Sequence, residues 1–223
     1  MNKISVKGMF SWNYILIISV FYTAFILPVF PHVWGPSPSK IGFTLIYIAA
    51  IFSLEKKFKL MLYIAIIALV LEWVTFLLDV EFLSEASRAV NVIFFFLVVF
   101  SLIRQIALAK NVNSTVIMQS ISGYILLGIV FSVIVSAIIM RDPESYNIAQ
   151  VGNTASSGGR YLSESFYYGF ITLGTLGYGD FVPLKPLTRS LATLIMVTGQ
   201  LYIAIIIAML VGKLAASGNA PIK

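Results

Sequence analysis

The sequence predicts an all-helical membrane protein with six transmembrane helices and a short re-entrant helix and loop. Hydrophobic residues make up 59% of the chain and charged ones 11%, with a mean hydropathy of +0.96, which excludes an ordinary soluble domain. Six apolar runs are separated by charged or turn-rich breaks. A seventh apolar stretch is too short to span and leads into a string of alternating glycines.

The runs are Trp12 to Phe30, Ile41 to Leu54, Leu60 to Leu78, Ala89 to Ile103, Ile121 to Met140 and Leu191 to Val211. A span needs about 20 apolar residues to cross about 30 Å of hydrocarbon. The first, third, fifth and sixth runs meet that length; the second and fourth, of 14 and 15 residues, would have to extend into polar flanks. Pro36 and Pro38 disfavour an earlier start for the second helix. The first run is too long for a cleaved signal peptide and lacks a small-residue cleavage site. Asn111 to Gln119 offers a candidate interfacial helix coupling the first four spans to the last two. Arg141 to Arg160 includes Ser156-Ser157-Gly158-Gly159 and is expected to form a mobile outer loop. Tyr161 to Thr172 then reads as the re-entrant helix, whose irregular continuation lipid tolerates only if it is buried in protein or lines water.

Charge placement gives the orientation. With six spans, one face carries Lys3, Lys7, Lys56, Lys57, Lys59, Arg104, Lys110, Lys213 and Lys223 against a single acid, Glu55. The other mixes Lys40, Arg88, Arg141, Arg160, Lys185 and Arg189 with Asp79, Glu81, Glu85, Asp142, Glu144, Glu164 and Asp180. Both termini are therefore expected in the cytoplasm of a cell (plasma or inner) membrane, and the net charge of +6 follows from the positive-inside rule without a nucleic-acid partner. No cysteine is present and His32 is the single histidine, so thiol chemistry and an ordinary zinc site are not expected, nor is an enzyme or a cofactor.

The string Thr175-Leu176-Gly177-Tyr178-Gly179-Asp180 resembles the selectivity filter of the tetrameric potassium channel family, with Leu176 where valine is usual. Glycines are needed because alternate residues must take backbone angles that a Cβ disfavours, and Gly177 and Gly179 supply them. The resemblance extends over Ile121 to Val211. It implies a homotetramer in which potassium ions meet the carbonyls of Thr175, Leu176, Gly177 and Tyr178 and the Thr175 hydroxyl, with Gly179 and Asp180 in support. Where the family commonly has two tryptophans behind the filter, this chain has Tyr167 and Tyr168, whose hydroxyls would reach Asp180 or Tyr178. Some relatives carry a bracing carboxylate at the position of Ile171; its absence here leaves bracing to Asp180 and the tyrosines. Gly199 matches the family's gating hinge, and close helix packing is an equal alternative. Thr198 and Gly199 would face the cavity below the filter, and Gly212 would end the helix.

The chain thus divides into 1–110, resembling a voltage-sensor unit without gating charges, and 111–223, resembling the pore unit. A sensor needs several charges crossing the field, each worth about 2.3 kcal/mol per 100 mV. Between Ala89 and Ile103 there is none; Arg88 and Arg104 flank the run, and Phe94-Phe95-Phe96 fills its middle. Glu72 is the ionisable residue well inside a span, read as a structural polar contact, pairing with Arg88 or protonated, in preference to a proton or voltage role. About a dozen residues follow Val211, so control is expected to arise within the membrane or from another chain. The expected function is passive potassium-selective conduction with little voltage dependence. The alternatives are a nonselective cation channel or a nonconducting subunit.

Overall fold

A computed structural model describes residues 6–29, 37–53, 59–78, 81–109, 111–148 and 158–218. The chain is mostly helical: α1 (Val6–Phe21), α2 (Ser37–Ser53), α3 (Lys59–Leu78), α4 (Glu81–Leu108), α5 (Ser114–Arg141), α6 (Gly158–Leu173) and α7 (Pro186–Gly218). A short antiparallel pair joins β1 (Tyr146–Ile148) to β2 (Phe181–Pro183), with Asn147 opposite Val182. The all-helical class expected from the sequence holds apart from this short pair, whereas the expectation of a mobile outer loop is corrected at its beginning. A 3₁₀ turn at Pro143–Ser145 and strand β1 order the loop's beginning, and α6 has begun by Gly158. Residues 149–157, His32 and Pro36 lie outside the described residues.

Among the described residues four helices are long and apolar enough to cross a membrane: Trp12–Val29, Glu85–Leu108, Ser114–Arg141 and Pro186–Ala216. Lys40–Ser53 and Leu62–Thr75 are shorter apolar helices. The fourth run gains its length from both polar flanks, because Glu, Ser, Arg and Gln continue a helix at either end at little cost. Helix α2 starts earlier than the prolines suggested, with Pro38 in its first turn, where a missing N–H costs nothing. Beyond α1 the helix widens into a π turn at Tyr22–Ile26 and tightens into a 3₁₀ turn at Leu27–Val29. Pro28 explains the change of pitch, since it cannot donate back into the preceding turn.

The first four helices pack through small and aromatic residues. Ala49 and Ala50 of α2 and Ala65 and Ala68 of α3 are fully buried, letting backbones approach where lipid provides no hydrophobic drive for association. Helix α4 buries Asn91, Phe94, Phe95, Val98, Leu102 and Ile106, one face at helical spacing, and exposes Ile93, Phe96 and Phe100 on the other. Tyr47 of α2 lies 4.8 Å from the Phe94 ring and stacks on Phe95 at 5.3 Å and 12°.

A polar cluster ties α2, α3 and α4 together around Glu72. Lys40 Nζ lies 3.4 Å from Glu72 Oε1 and donates to the Glu72 carbonyl at 3.0 Å. Asn91 Nδ2 donates to Oε2 at 2.8 Å, Ser87 Oγ lies 3.4 Å from the same oxygen, and the Tyr47 hydroxyl donates to Asn91 Oδ1. Where sequence reading named Arg88 or protonation, the structure brings Lys40 to the carboxylate. Lys40, expected from the sequence among the loop charges, lies on α2 because that helix starts at Ser37.

Helices α4 and α5 form a hairpin joined by the five residues 109–113. Asn113 caps α5, its Oδ1 accepting from the Val116 N–H at 3.0 Å. Asn111 to Gln119 is therefore a turn and the first turns of α5, which corrects the expectation of a separate interfacial helix. Gln119 Nε2 donates to Gln105 Oε1 at 2.7 Å across the hairpin. The end of the first span also packs on the second half of the chain: Phe25 lies 5.4 Å from the Phe170 ring, and Ser163 Oγ donates to the Pro28 carbonyl at 3.3 Å. Helix α5 becomes the enclosed centre and is mostly buried, whereas α7 leaves a long apolar face uncovered. Helix α7 also runs through Gly212 to Gly218, so Gly212 does not terminate it.

Replacing one member of the largely buried Lys40–Glu72 pair strands the other. Glu72→Leu is expected to lose about 3 kcal/mol, read as a lower denaturation midpoint in detergent micelles, and Lys40→Met combined with it should restore most of that loss.

Candidate functional site

Helix α6 ends at Leu173, and the backbone beyond it turns back along the helix's last turn. The N–H of Gly174 donates to Phe170 O at 2.9 Å and that of Thr175 to Thr172 O at 3.1 Å. Leu176 N–H donates to Ile171 O at 2.8 Å and Gly177 N–H approaches the same oxygen at 3.4 Å. Ile171 thus supports the string through its main-chain carbonyl, at the position where the family resemblance suggested a missing side-chain brace.

Positive φ angles occur at Thr175 (61°), Gly177 (55°) and Gly179 (81°), and not at Leu176 or Tyr178. The sign of φ therefore alternates over five successive residues. Such alternation turns successive peptide groups the same way, carbonyls along one side of the strand and N–H groups along the other. For the two glycines the conformation is free of steric cost. Thr175 is β-branched, and its left-handed φ stores strain of about 1–3 kcal/mol, held by the hydrogen bonds at its own and the following N–H. Sequence reasoning assigned this freedom to the glycines alone; the two-residue period that includes Gly177 and Gly179 also selects Thr175.

The side chains of the string lean back on α6. The Tyr178 ring lies nearly parallel to that of Tyr167, 6.5 Å away at 17°, and Tyr167 OH donates to Asp180 Oδ2 at 2.5 Å. That hydrogen bond, followed by burial and the charge of Asp180, pushes the Tyr167 phenol up to about 12. Ionisation would set a phenolate beside a carboxylate, so the bond persists from neutral pH to the ordinary tyrosine value near 10 and is lost as pH rises towards 12. Tyr168 takes the other direction. Its buried ring meets Phe181 at 4.8 Å and Tyr146 at 5.2 Å, and its hydroxyl reaches neither Asp180 nor Tyr178. The two tyrosines, paired by sequence, thus divide the work between bracing Asp180 and anchoring β1 against β2.

Behind this face the strands and the start of α7 are knotted at Ser145. Its carbonyl accepts from the Leu184 N–H at 2.9 Å and from Thr188 Oγ1 at 3.1 Å. Lys185 Nζ lies 2.5 Å from Asp142 Oδ2. These contacts hold the residues on either side of the string to the end of α5. Leu176 and Tyr178 themselves remain 60% and 67% exposed in a single chain.

Gly199 supports the string from below. A Cβ at that position would sit 2.3 Å from the Leu173 carbonyl oxygen and 2.9 Å from Leu173 Cδ1, and α7 continues through it without interruption. The contact is the close packing that sequence reading weighed equally against a hinge. Thr198 beside it is half-buried. Helix α5 meets α6 in the same manner, with the Phe170 ring filling the space over Gly128.

Residues 145–216 match the family model described as Ion channel. The matched segment holds β1, α6, the Thr175 to Asp180 string, β2 and nearly all of α7. The comparison with curated proteins finds no match. Together with four helices long and apolar enough to cross a membrane among the described residues, this similarity supports a multi-pass membrane protein of the ion-channel type and points to transport.

Because a backbone carbonyl cannot move aside cheaply, Gly199→Ala is expected to displace the base of the string and cost about 1–3 kcal/mol. The lowered unfolding midpoint in micelles checks this, and Gly212→Ala, where a Cβ would meet open space inside a helix, should not lower the midpoint.

Proposed function

We infer that the chain is one quarter of a potassium-selective channel, in which four copies set their Thr175 to Tyr178 segments around a common axis. The observation that carries this reading is the alternating sign of φ from Thr175 to Gly179. Alternation presents a row of carbonyls on one side of an extended strand, the arrangement that replaces the hydration shell of a dehydrated cation. Four such rows supply stacked rings of oxygens from Thr175, Leu176, Gly177 and Tyr178, with the Thr175 hydroxyl at the inner end. Potassium ions pass between adjacent rings, binding at each strongly enough to enter and weakly enough to leave.

The uncovered apolar face of α7 supports assembly of identical copies, since Leu194, Leu201, Ile205 and their neighbours are exposed in one protomer. In the tetramer this helix lines the inner pore and packs on its counterparts, while the exposed Leu176 and Tyr178 meet the neighbouring protomer. Tyr167 and Asp180 resist collapse of the rings by holding the outer end of the string against α6. The first four helices form a unit of little voltage sensitivity: the face of α4 that a sensor would charge carries Asn91, bound to Glu72.

Purified protein in liposomes is expected to carry potassium but not sodium, with barium inhibiting the flux and intact-mass measurement giving four chains. Equal sodium flux would make it a nonselective cation channel, and absence of all flux in a correctly assembled tetramer would make it a nonconducting subunit. Gly177→Ala places a Cβ at a φ of 55° and is expected to abolish potassium flux without preventing membrane insertion. Tyr167→Phe keeps the ring and removes the donor to Asp180; the expected result is faster decline of current during sustained recording, with its onset unchanged.

A further inference from the structure

We propose that Lys213 is a latch through which the first four helices govern the inner end of the pore, a regulation that rests on the channel reading of α7. Helix α4 ends at Leu108, and its backbone ladder closes with the Ala109 N–H on the Gln105 carbonyl, leaving the carbonyls that follow without partners in their own helix. Lys213 Nζ, on the last turns of α7 and more than a hundred residues away, donates to the carbonyls of Ile106, Ala107 (2.9 Å) and Ala109 (2.6 Å). An ammonium has three donors, and here each has its own acceptor. The positive charge also meets the negative end of the α4 dipole, the placement that favours a cation at a helix C-terminus.

The latch closes a polar circuit around the cytoplasmic halves of three helices. Gln105 of α4 bonds Gln119 of α5. One residue on, the Ser120 carbonyl accepts from Tyr202 OH of α7 at 2.8 Å. Lys213 then joins α7 to α4, eleven residues or about 16 Å further along the helix. Helix α7 is thus held at two heights, against α5 at Tyr202 and against α4 at Lys213. Its inner end cannot swing outward unless α4 moves with it or the three lysine bonds break. Gln105 and Gln119 couple α4 to α5, and Lys213 adds a direct link from α4 to α7. A displacement of α4, whatever drives it, reaches the inner opening through this side chain.

Lys213→Met keeps the apolar stem and removes the donors. In protein reconstituted in nanodiscs, amide exchange is expected to rise both in the last turn of α4 (105–109) and in α7 over 205–216, with 171–180 unchanged. In single-channel recording the ratio of open to closed time is expected to change about tenfold while the unitary current stays the same. Lys213→Arg, which retains a cation and donors, should lie between Met and the native residue in both measurements. A rise in exchange confined to α4 overturns the proposal, leaving Lys213 as a cap only, and an unchanged open-to-closed ratio overturns it equally. If the native chain carries no current although exchange rises in both helices, the channel reading fails and the mechanical link between α4 and α7 stands.

Discussion

A backbone whose φ changes sign at every residue makes neither helix nor sheet, and the segment from Thr175 to Gly179 depends on its surroundings for every constraint. The N–H groups of Thr175, Leu176 and Gly177 are taken up by Thr172 and Ile171, the segment's outer end is tied by Tyr167 to Asp180, and its base rests on α7 at Gly199. Helix α5 carries α6, the Asp142 to Ile148 stretch carries β2, and the end of the first span leans on α6 through Phe25 and Pro28. The strain at Thr175 is sustained because these contacts over-determine its position.

Much of this was legible in sequence because its signals were local. Hydropathy gives the apolar runs, and alternating glycines give the unusual backbone. What escaped detection depended on distance. Lys40 looked like a loop residue until α2 was seen to begin at Ser37, one turn earlier than its apolar run, which turned the lysine inward onto Glu72. Tyr167 and Tyr168 are adjacent, but successive positions on a helix point about 100° apart, so one faces Asp180 and the other the β1–β2 pair. Gly199 could be matched to a place in the chain, but only the approach of the Leu173 carbonyl shows packing there. Lys213 carried no signal beyond its sign, because a lysine near a cytoplasmic end satisfies the positive-inside rule whether it binds anything or not.

The polar groups inside the first four helices follow one rule. The charge that would cost most in lipid is matched within the bundle: Glu72 is bound from α2 and α4 together, which fixes their relative height. Such a cluster contributes less to net stability than to uniqueness of arrangement, since sliding α4 by one turn would separate Asn91 from Glu72 and leave one carboxylate oxygen without its donor. A helix held in this way is suited to transmitting small rigid displacements.

The first span shows what this design means during synthesis. Its close partner on α6, Ser163, lies 135 residues downstream of Pro28, so α1 enters the bilayer long before that contact can form. Its hydroxyls do not need to wait for it. Ser19 Oγ donates to the Ile15 carbonyl at 2.7 Å and Thr23 Oγ1 to the Ser19 carbonyl at 2.9 Å, each within its own helix. The nascent helix therefore carries these polar groups already satisfied, and remains compatible with lipid until the later helices arrive to cover them.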